Sequence, residues 1–187
     1  MIIEQSCKIN IPSPEKISKA LPVFYNPIMK LNRDISIAFL KALDRREMYI
    51  GLPLEGTGIR GIRFLKELKK EMIKEIHFND YSPTASAKIR ETLKLNKIAA
   101  KKVFVHNKDA NVFLEASKGF NYIDIDPFGT PNPFLDMSIK RLAREGILAV
   151  TATDTSALAG TYPLACLRKY WAAPMRNYLM HEIGLRI

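Results

Sequence analysis

Three acidic residues and one glycine-rich loop stand where this chain could do chemistry. Asp126 ends the alternating stretch NYIDID and is followed at once by Pro127, Phe128 and Gly129. Asp80 closes EIHFND, and Asp109-Ala110 comes just after KVFVHN. Gly56, Gly58 and Gly61 in LEGTGIRG have the spacing G-x-G-x-x-G directly after the apolar run MYIGLPLE. Glycines there permit a tight turn and let backbone N–H groups approach a ligand closely. A carboxylate such as Asp80, 19 residues past Gly61, can accept both hydroxyls of a ribose. Asp109 can accept from the exocyclic amine of adenine, while the small Ala110 admits the ring. Asp126 can accept from an N–H group, and Phe128, two residues on, can stack on something flat.

The elements that must position these residues follow from hydrophobic periodicity. Residues 1–30 read as irregular, with prolines at 12, 14, 22 and 27. From Asn32, a plausible cap, Ile35, Ala38, Phe39 and Ala42 recur at helical spacing. Strands are expected at 48–55, 75–80, 102–107, 122–126 and 146–153, with helices at 59–70, 109–118 and 133–145 between them. Ser82-Pro83 opens a further helix as cap and first-turn proline, with Ala85, Ile89 and Leu93 on one face. Five strands alternating with helices predict a doubly wound α/β domain over 31–187 with a parallel sheet. The chemistry-bearing residues then end successive strands, at the carboxyl edge where open α/β sheets bind their ligands.

Bulk composition narrows the class. A chain of 187 residues with 47% hydrophobic content can bury a core, and no apolar run reaches the length of a membrane span. The start, MIIEQSCKIN, lacks a basic segment leading into an apolar one, so no signal peptide is expected. Cys7 and Cys166 show no metal-ligand spacing with each other or with His77, His106 and His181, which suits two structural thiols in a cytoplasmic protein. The net charge is +10, and residues 60–102 hold twelve Lys/Arg against five Asp/Glu. Such a surface suits a polyanion, nucleic acid being the commonest, although a merely solvated lysine-rich face gives the same count.

The glycine loop and Asp80 fit a dinucleotide or an adenosyl cofactor equally well. Asp109-Ala110 favours adenine, and Asp126-Pro127-Phe128 has no place in hydride transfer. That block suits methyl transfer from S-adenosylmethionine to an aromatic amine, whose lone pair is delocalised and must be held in line with the methyl group. Ordinary structural readings stay open for each: a strand-to-helix turn for the glycines, helix capping for Asp80, a plain turn for Asp-Pro.

The blocks FYNPIMKLNRDISIAFL, GTGIRGIRF, DIDPFGTP, GILAVTATDTSALAG and ACLRKY resemble, in order, those of the tRNA (guanine-N2-)-dimethyltransferases, over roughly residues 20–187. The resemblance implies a Rossmann-like class I methyltransferase that acts on the exocyclic N2 of guanosine 26 in tRNA. It implies that Arg33 grips the cofactor's carboxylate, helped by Arg60, with Arg63 the lesser candidate. It keeps Gly56 and Gly58 in the cofactor loop, Asp80 on the ribose, and Asp109 and Ala110 on the adenine. Asp126 and the Pro127 carbonyl take the target amine, and Phe24 and Phe128 wall the guanine slot, with residues 1–30 contributing to the active site. Phe24 could equally be core, and Arg33 a surface residue near a helix start. Family proteins continue past HEIGLRI into further sheet strands and a carboxyl-terminal domain, so this chain is expected to lack the last strands, to bind cofactor but not methylate tRNA alone, and to need the missing half, as the rest of the chain or as a separate polypeptide, for much of its RNA grip. The family's zinc-ligand clusters would lie outside it, and no metal is expected. An amino-methyltransferase with another nucleic-acid or protein target, or a catalytically silent RNA-binding module, remains the alternative; a nicotinamide-dependent oxidoreductase would leave Asp126-Pro127-Phe128 unexplained.

Overall fold

Two three-residue strands open the chain where the sequence reads as irregular: β1 (Ile2–Glu4) pairs antiparallel with β2 (Cys7–Ile9). Strands this short give no readable alternation, yet Cys7 and Ile9 are wholly buried and join the core cluster. The structure, a computed structural model, describes residues 1–11 and 25–187. Phe24 lies outside the described residues.

Asn26, rather than Asn32, starts the first helical segment. Its Oδ1 accepts from the Ile28 N–H at 2.9 Å, Pro27 follows in the first turn, and α1 (Lys30–Leu43) continues from there. The face that α1 buries is also not the one its apolar spacing predicts. Arg33, Ile37 and Leu40 are buried, whereas Ile35 and Phe39 are exposed. A buried arginine needs a buried anion, and the partner of Arg33 comes from β1.

The alternating pattern then unfolds much as its periodicity requires: β3 (Met48–Leu52), α2 (Ile59–Glu67), β4 (Ile73–Asn79), α3 (Pro83–Leu95), β5 (Val103–His106), α4 (Ala110–Glu115) and β6 (Phe120–Ile125). Ser82 caps α3 by accepting from the Ala85 N–H at 3.3 Å, and Ala85, Ile89 and Leu93 are buried together. After α5 (Asn132–Lys140) comes β7 (Leu142–Val150), so the helix is shorter and the strand earlier than expected. Arg141 is the switch. Its N–H still donates back to the helix carbonyls of Met137 and Ser138, while its own C=O accepts from Phe120 N–H at 2.9 Å. Sheet pairing captures a residue that propensity alone would leave in the helix.

The sheet has the order β5-β4-β3-β6-β7. β3 runs parallel to both β4 and β6, and β4 to β5, with Ile50 opposite Ile76 on one side and Tyr122 on the other. Hydrogen bonds Phe120 N–H to Arg141 O and Thr151 N–H to Ile125 O make β7 parallel to β6 as well. The fold is therefore the parallel α/β sheet that the sequence predicts. The third glycine of the loop explains how closely α2 lies on it. A Cβ on Gly61 would come within 2.4 Å of Phe78 and 2.6 Å of Leu52. Gly61→Ala is expected to destabilise the fold by about 1–3 kcal/mol, the usual range for overpacking; an unchanged denaturation midpoint would contradict this packing.

By compactness the chain forms two units, Met1–Asp124 with Met137–Ala149, and Ile125–Asp136 with Val150–Ile187. The first holds the hairpin and nearly all of the sheet. The second holds α6 (Thr155–Leu158), α7 (Pro163–Tyr170) and α8 (Met180–Arg186), with Cys166 buried among them. Both cysteines are free thiols. Among the described residues no helix is long and apolar enough to cross a membrane.

Candidate functional site

In the first unit, the carboxyl ends of β3, β4 and β5 are tied together by side chains of β4 and its following turn. Asn79, with no exposure, donates to the carbonyls of Pro53 (3.0 Å) and Lys108 (2.9 Å) and accepts from the Lys108 N–H. One residue on, Asp80 accepts from Gly56 N–H through Oδ2 and from Ser82 N–H through Oδ1, both at 2.9 Å. The glycine loop and the Asp80 carboxylate are thus one assembly. Gly56 and Gly58 have φ of +57° and +82°, which explains glycine at both positions. Glu55 holds the far side of the loop, accepting from the Gly61 N–H at 2.9 Å. Asp109 caps α4, with Oδ1 accepting from Asn111 N–H (2.9 Å) and Val112 N–H (3.2 Å). Ala110 follows, buried.

The three arginines named by the sequence are all buried, at 4% exposure or less, so none is a surface residue. Arg33 grips Glu4 through Nε (2.8 Å) and Nη2 (2.6 Å). Arg60 pairs with Asp124 at 3.3 Å and donates to Ser36 Oγ at 3.0 Å. Asp124 also accepts from the Tyr122 hydroxyl at 2.7 Å; burial and this carboxylate push the phenol's pKa up. Arg63 is shared among Glu67, Asp34 and Glu4, at 2.9, 2.7 and 2.9 Å. Those three carboxylates hold its pKa up against burial. So placed, Arg63 is a structural cross-link, and removing one partner of such a buried pair costs about 3–5 kcal/mol.

In the second unit, the loop after β6 is held by Thr153. Its hydroxyl accepts from the Gly129 N–H at 2.7 Å and donates to the Pro127 carbonyl at 3.4 Å, and its N–H donates to the Gly129 carbonyl at 3.0 Å. Pro127 is buried, Asp126 half-buried and Phe128 exposed. A carbonyl has two lone pairs, so Pro127 can accept a second hydrogen bond. Asp154 anchors the following segment, accepting from Lys169 (2.9 Å) and from Tyr170 (2.5 Å), whose own pKa is pushed up to about 12.

Matches to known proteins decide the family. Residues 5–187 match the N2,N2-dimethylguanosine tRNA methyltransferase family. The chain belongs to that family. It is 42% identical, over its whole length and 49% of the relative's, to the tRNA (guanine(26)-N(2)/guanine(27)-N(2))-dimethyltransferase of Aquifex aeolicus. It is 46% identical, over 96% of the chain and 46% of the relative, to the tRNA (guanine(26)-N(2))-dimethyltransferase of Methanobrevibacter smithii. Among solved structures, Trm1 from Pyrococcus horikoshii in complex with S-adenosyl-L-methionine superimposes with a TM-score of 0.86 at 40% identity, covering 99% of this chain and 51% of that one. The chain spans about half the length of the curated relatives it matches.

Within the first unit the structure therefore brings Asp80 and Gly56 into direct contact and sets Arg33 and Arg60 on internal carboxylates. Glu4, Asn79 and Asp124 escape a reading based on spacing, whereas Thr153 stands at the end of the strand expected over 146–153. Asp124 alone carried a signal, an acid on the same strand face as buried Tyr122, which requires a cation. The basic face shrinks slightly: of the twelve cations in 60–102, Arg60 and Arg63 are buried in ion pairs.

Proposed function

We propose that the intact protein transfers methyl groups from S-adenosylmethionine to the exocyclic N2 of guanosine 26 in tRNA. Family membership over residues 5–187, with Asp126-Pro127-Phe128-Gly129 directly after a parallel strand, carries this reading. The chain's donors and acceptors suit that cofactor. Asp80 has both oxygens fixed by backbone N–H groups, yet each keeps a lone pair for a ribose hydroxyl. Asp109, capping α4 through Oδ1, has Oδ2 to offer the adenine amine, and the small Ala110 leaves room for the ring. Arg33 and Arg60 supply guanidinium N–H groups for the methionine carboxylate. Gly56 and Gly58 let the loop backbone pass close by.

When bound, the cofactor supplies an electrophilic methyl on a sulfonium. The rest falls to the chain. The N2 lone pair is delocalised into the guanine ring, so the bare amine attacks poorly. Asp126 and the Pro127 carbonyl accept its N–H groups, favour a pyramidal nitrogen, and Asp126 takes the proton that the new N–CH3 bond displaces. Phe128 stacks on the base, and Phe24 is the proposed opposite wall. The base must leave its stack to be reached, at a cost of a few kcal/mol. The exposed lysines between Lys66 and Lys102 would track phosphates, in the cytoplasm where tRNA is processed, with the remaining grip falling to a carboxyl-terminal part like that of the longer relatives.

Calorimetric titration tests the cofactor half of the reading. S-adenosylmethionine is expected to bind and NAD not to; binding of NAD alone would return the site to hydride transfer. Affinity for tRNA should also fall steeply between 50 and 200 mM salt, as phosphate contacts require.

A further inference from the structure

Glu4, at the end of β1, carries a carboxylate that accepts four hydrogen bonds. Its Oε1 accepts from Arg33 Nε (2.8 Å) and Arg63 Nη1 (2.9 Å), and its Oε2 from Arg33 Nη2 (2.6 Å) and the Tyr25 hydroxyl (2.9 Å). It is 3% exposed. Burial alone would raise its pKa, but Arg33, Tyr25 and Arg63 hold it below the usual carboxylate range. Arg33 is fixed at a further point, donating Nη2 to the Asn26 carbonyl at 3.1 Å. Its Nη1 makes no hydrogen bond to a described residue.

Charge says what this arrangement is suited to. Among the described residues the ion pairs around it link three cations, Lys30, Arg33 and Arg63, with three anions, Glu4, Asp34 and Glu67. A neutral cluster offers an incoming carboxylate little net attraction. What it offers is direction. A guanidinium presents donors along two edges; Glu4 fills the Nε–Nη2 edge and the Asn26 carbonyl takes the second Nη2 hydrogen, which leaves the two Nη1 N–H groups for an external anion. The long side chain is also immobilised on folding, so binding need not order it.

We infer that Glu4 is a positioning residue for the cofactor's amino-acid end, holding Arg33 so that its remaining N–H groups meet the methionine carboxylate. The inference rests on the proposed role of Arg33. It gives the amino-terminal hairpin a task in cofactor binding, although the first of the blocks that carry the resemblance begins only at Phe24.

The test compares S-adenosylmethionine with 5′-methylthioadenosine, which keeps adenine and ribose but lacks the amino-acid tail, in calorimetric titrations of the intact protein. Glu4→Gln keeps the size of the side chain and removes its charge. It should weaken S-adenosylmethionine roughly tenfold or more, as loss of a charged hydrogen-bonding arrangement does, and leave 5′-methylthioadenosine within about twofold. Equal loss for both ligands, or loss for neither, would overturn the inference. Failure of the unsubstituted protein to bind S-adenosylmethionine would instead sink the functional reading. Glu4→Asp, which keeps the charge and retracts it by one methylene, should show the same split between ligands. In the unsubstituted protein the Arg33 Nε–H resonance should exchange slowly with solvent, and S-adenosylmethionine alone should shift the Nη groups. Fast Nε–H exchange, or equal shifts with both ligands, would overturn the inference whether or not either variant folds.

Discussion

Asp126→Ala is expected to reduce methyl transfer by about 10²–10³-fold, the loss seen when one group aimed at developing charge is removed, with S-adenosylmethionine affinity changed no more than a few-fold. Hydrogen bonds from Thr153 to Pro127 and Gly129 hold the loop without the Asp126 carboxylate, and the substitution leaves them in place. Asp126→Asn should fall between the two, because it still accepts an N–H but cannot take up a proton. Single-turnover methylation and calorimetry together provide the check. Collapse of cofactor affinity along with activity would make Asp126 a cofactor ligand and remove it from the amine.

Asp80→Ala is expected to weaken S-adenosylmethionine by about 1.5–3 kcal/mol, the range for hydrogen bonds to a charged group. Two losses combine here. The ribose hydroxyls lose their acceptor, and the Gly56 N–H loses the carboxylate that fixes the glycine loop. Because 5′-methylthioadenosine carries the same ribose, it should lose affinity equally. Arg33→Ala, by contrast, should weaken only the ligand with a carboxylate. Equal sensitivity of both ligands to both substitutions would dissolve this division of labour.

The sequence made local features legible and distant partners invisible. The glycine loop, Asp80 at the end of β4 and the Ser82 cap of α3 each depend on residues within one strand-turn-helix, so spacing alone located them. The buried face of α1 was misread because Ile35 and Phe39 supply a helical apolar stripe, while the decisive contact joins Arg33 to Glu4, 29 residues earlier. Nothing near Arg33 announces that partner, and β1 is too short to show a pattern. The boundary at Arg141 failed for a related reason: its carbonyl is claimed by Phe120 across the sheet, which overrides a helical run of Lys140, Arg141 and Leu142. Asn79 reads as one more polar residue before Asp80, and only the structure shows it clamping the turns after β3 and β5. Family resemblance supplied roles for Arg33 and Arg60 that spacing could not, but it gave no hint that both meet internal carboxylates.

The most direct test uses tRNA transcripts carrying guanosine or inosine at position 26, since inosine differs from guanosine only in lacking the N2 amine. Incubation of the intact protein with tritium-methyl S-adenosylmethionine should label the guanosine transcript, and nuclease digestion should release the label as N2-methylguanosine and N2,N2-dimethylguanosine. The inosine transcript should take up no label at that position. Label in the inosine transcript at position 26, or none in the guanosine transcript while the protein binds S-adenosylmethionine, would contradict methylation of the N2 amine.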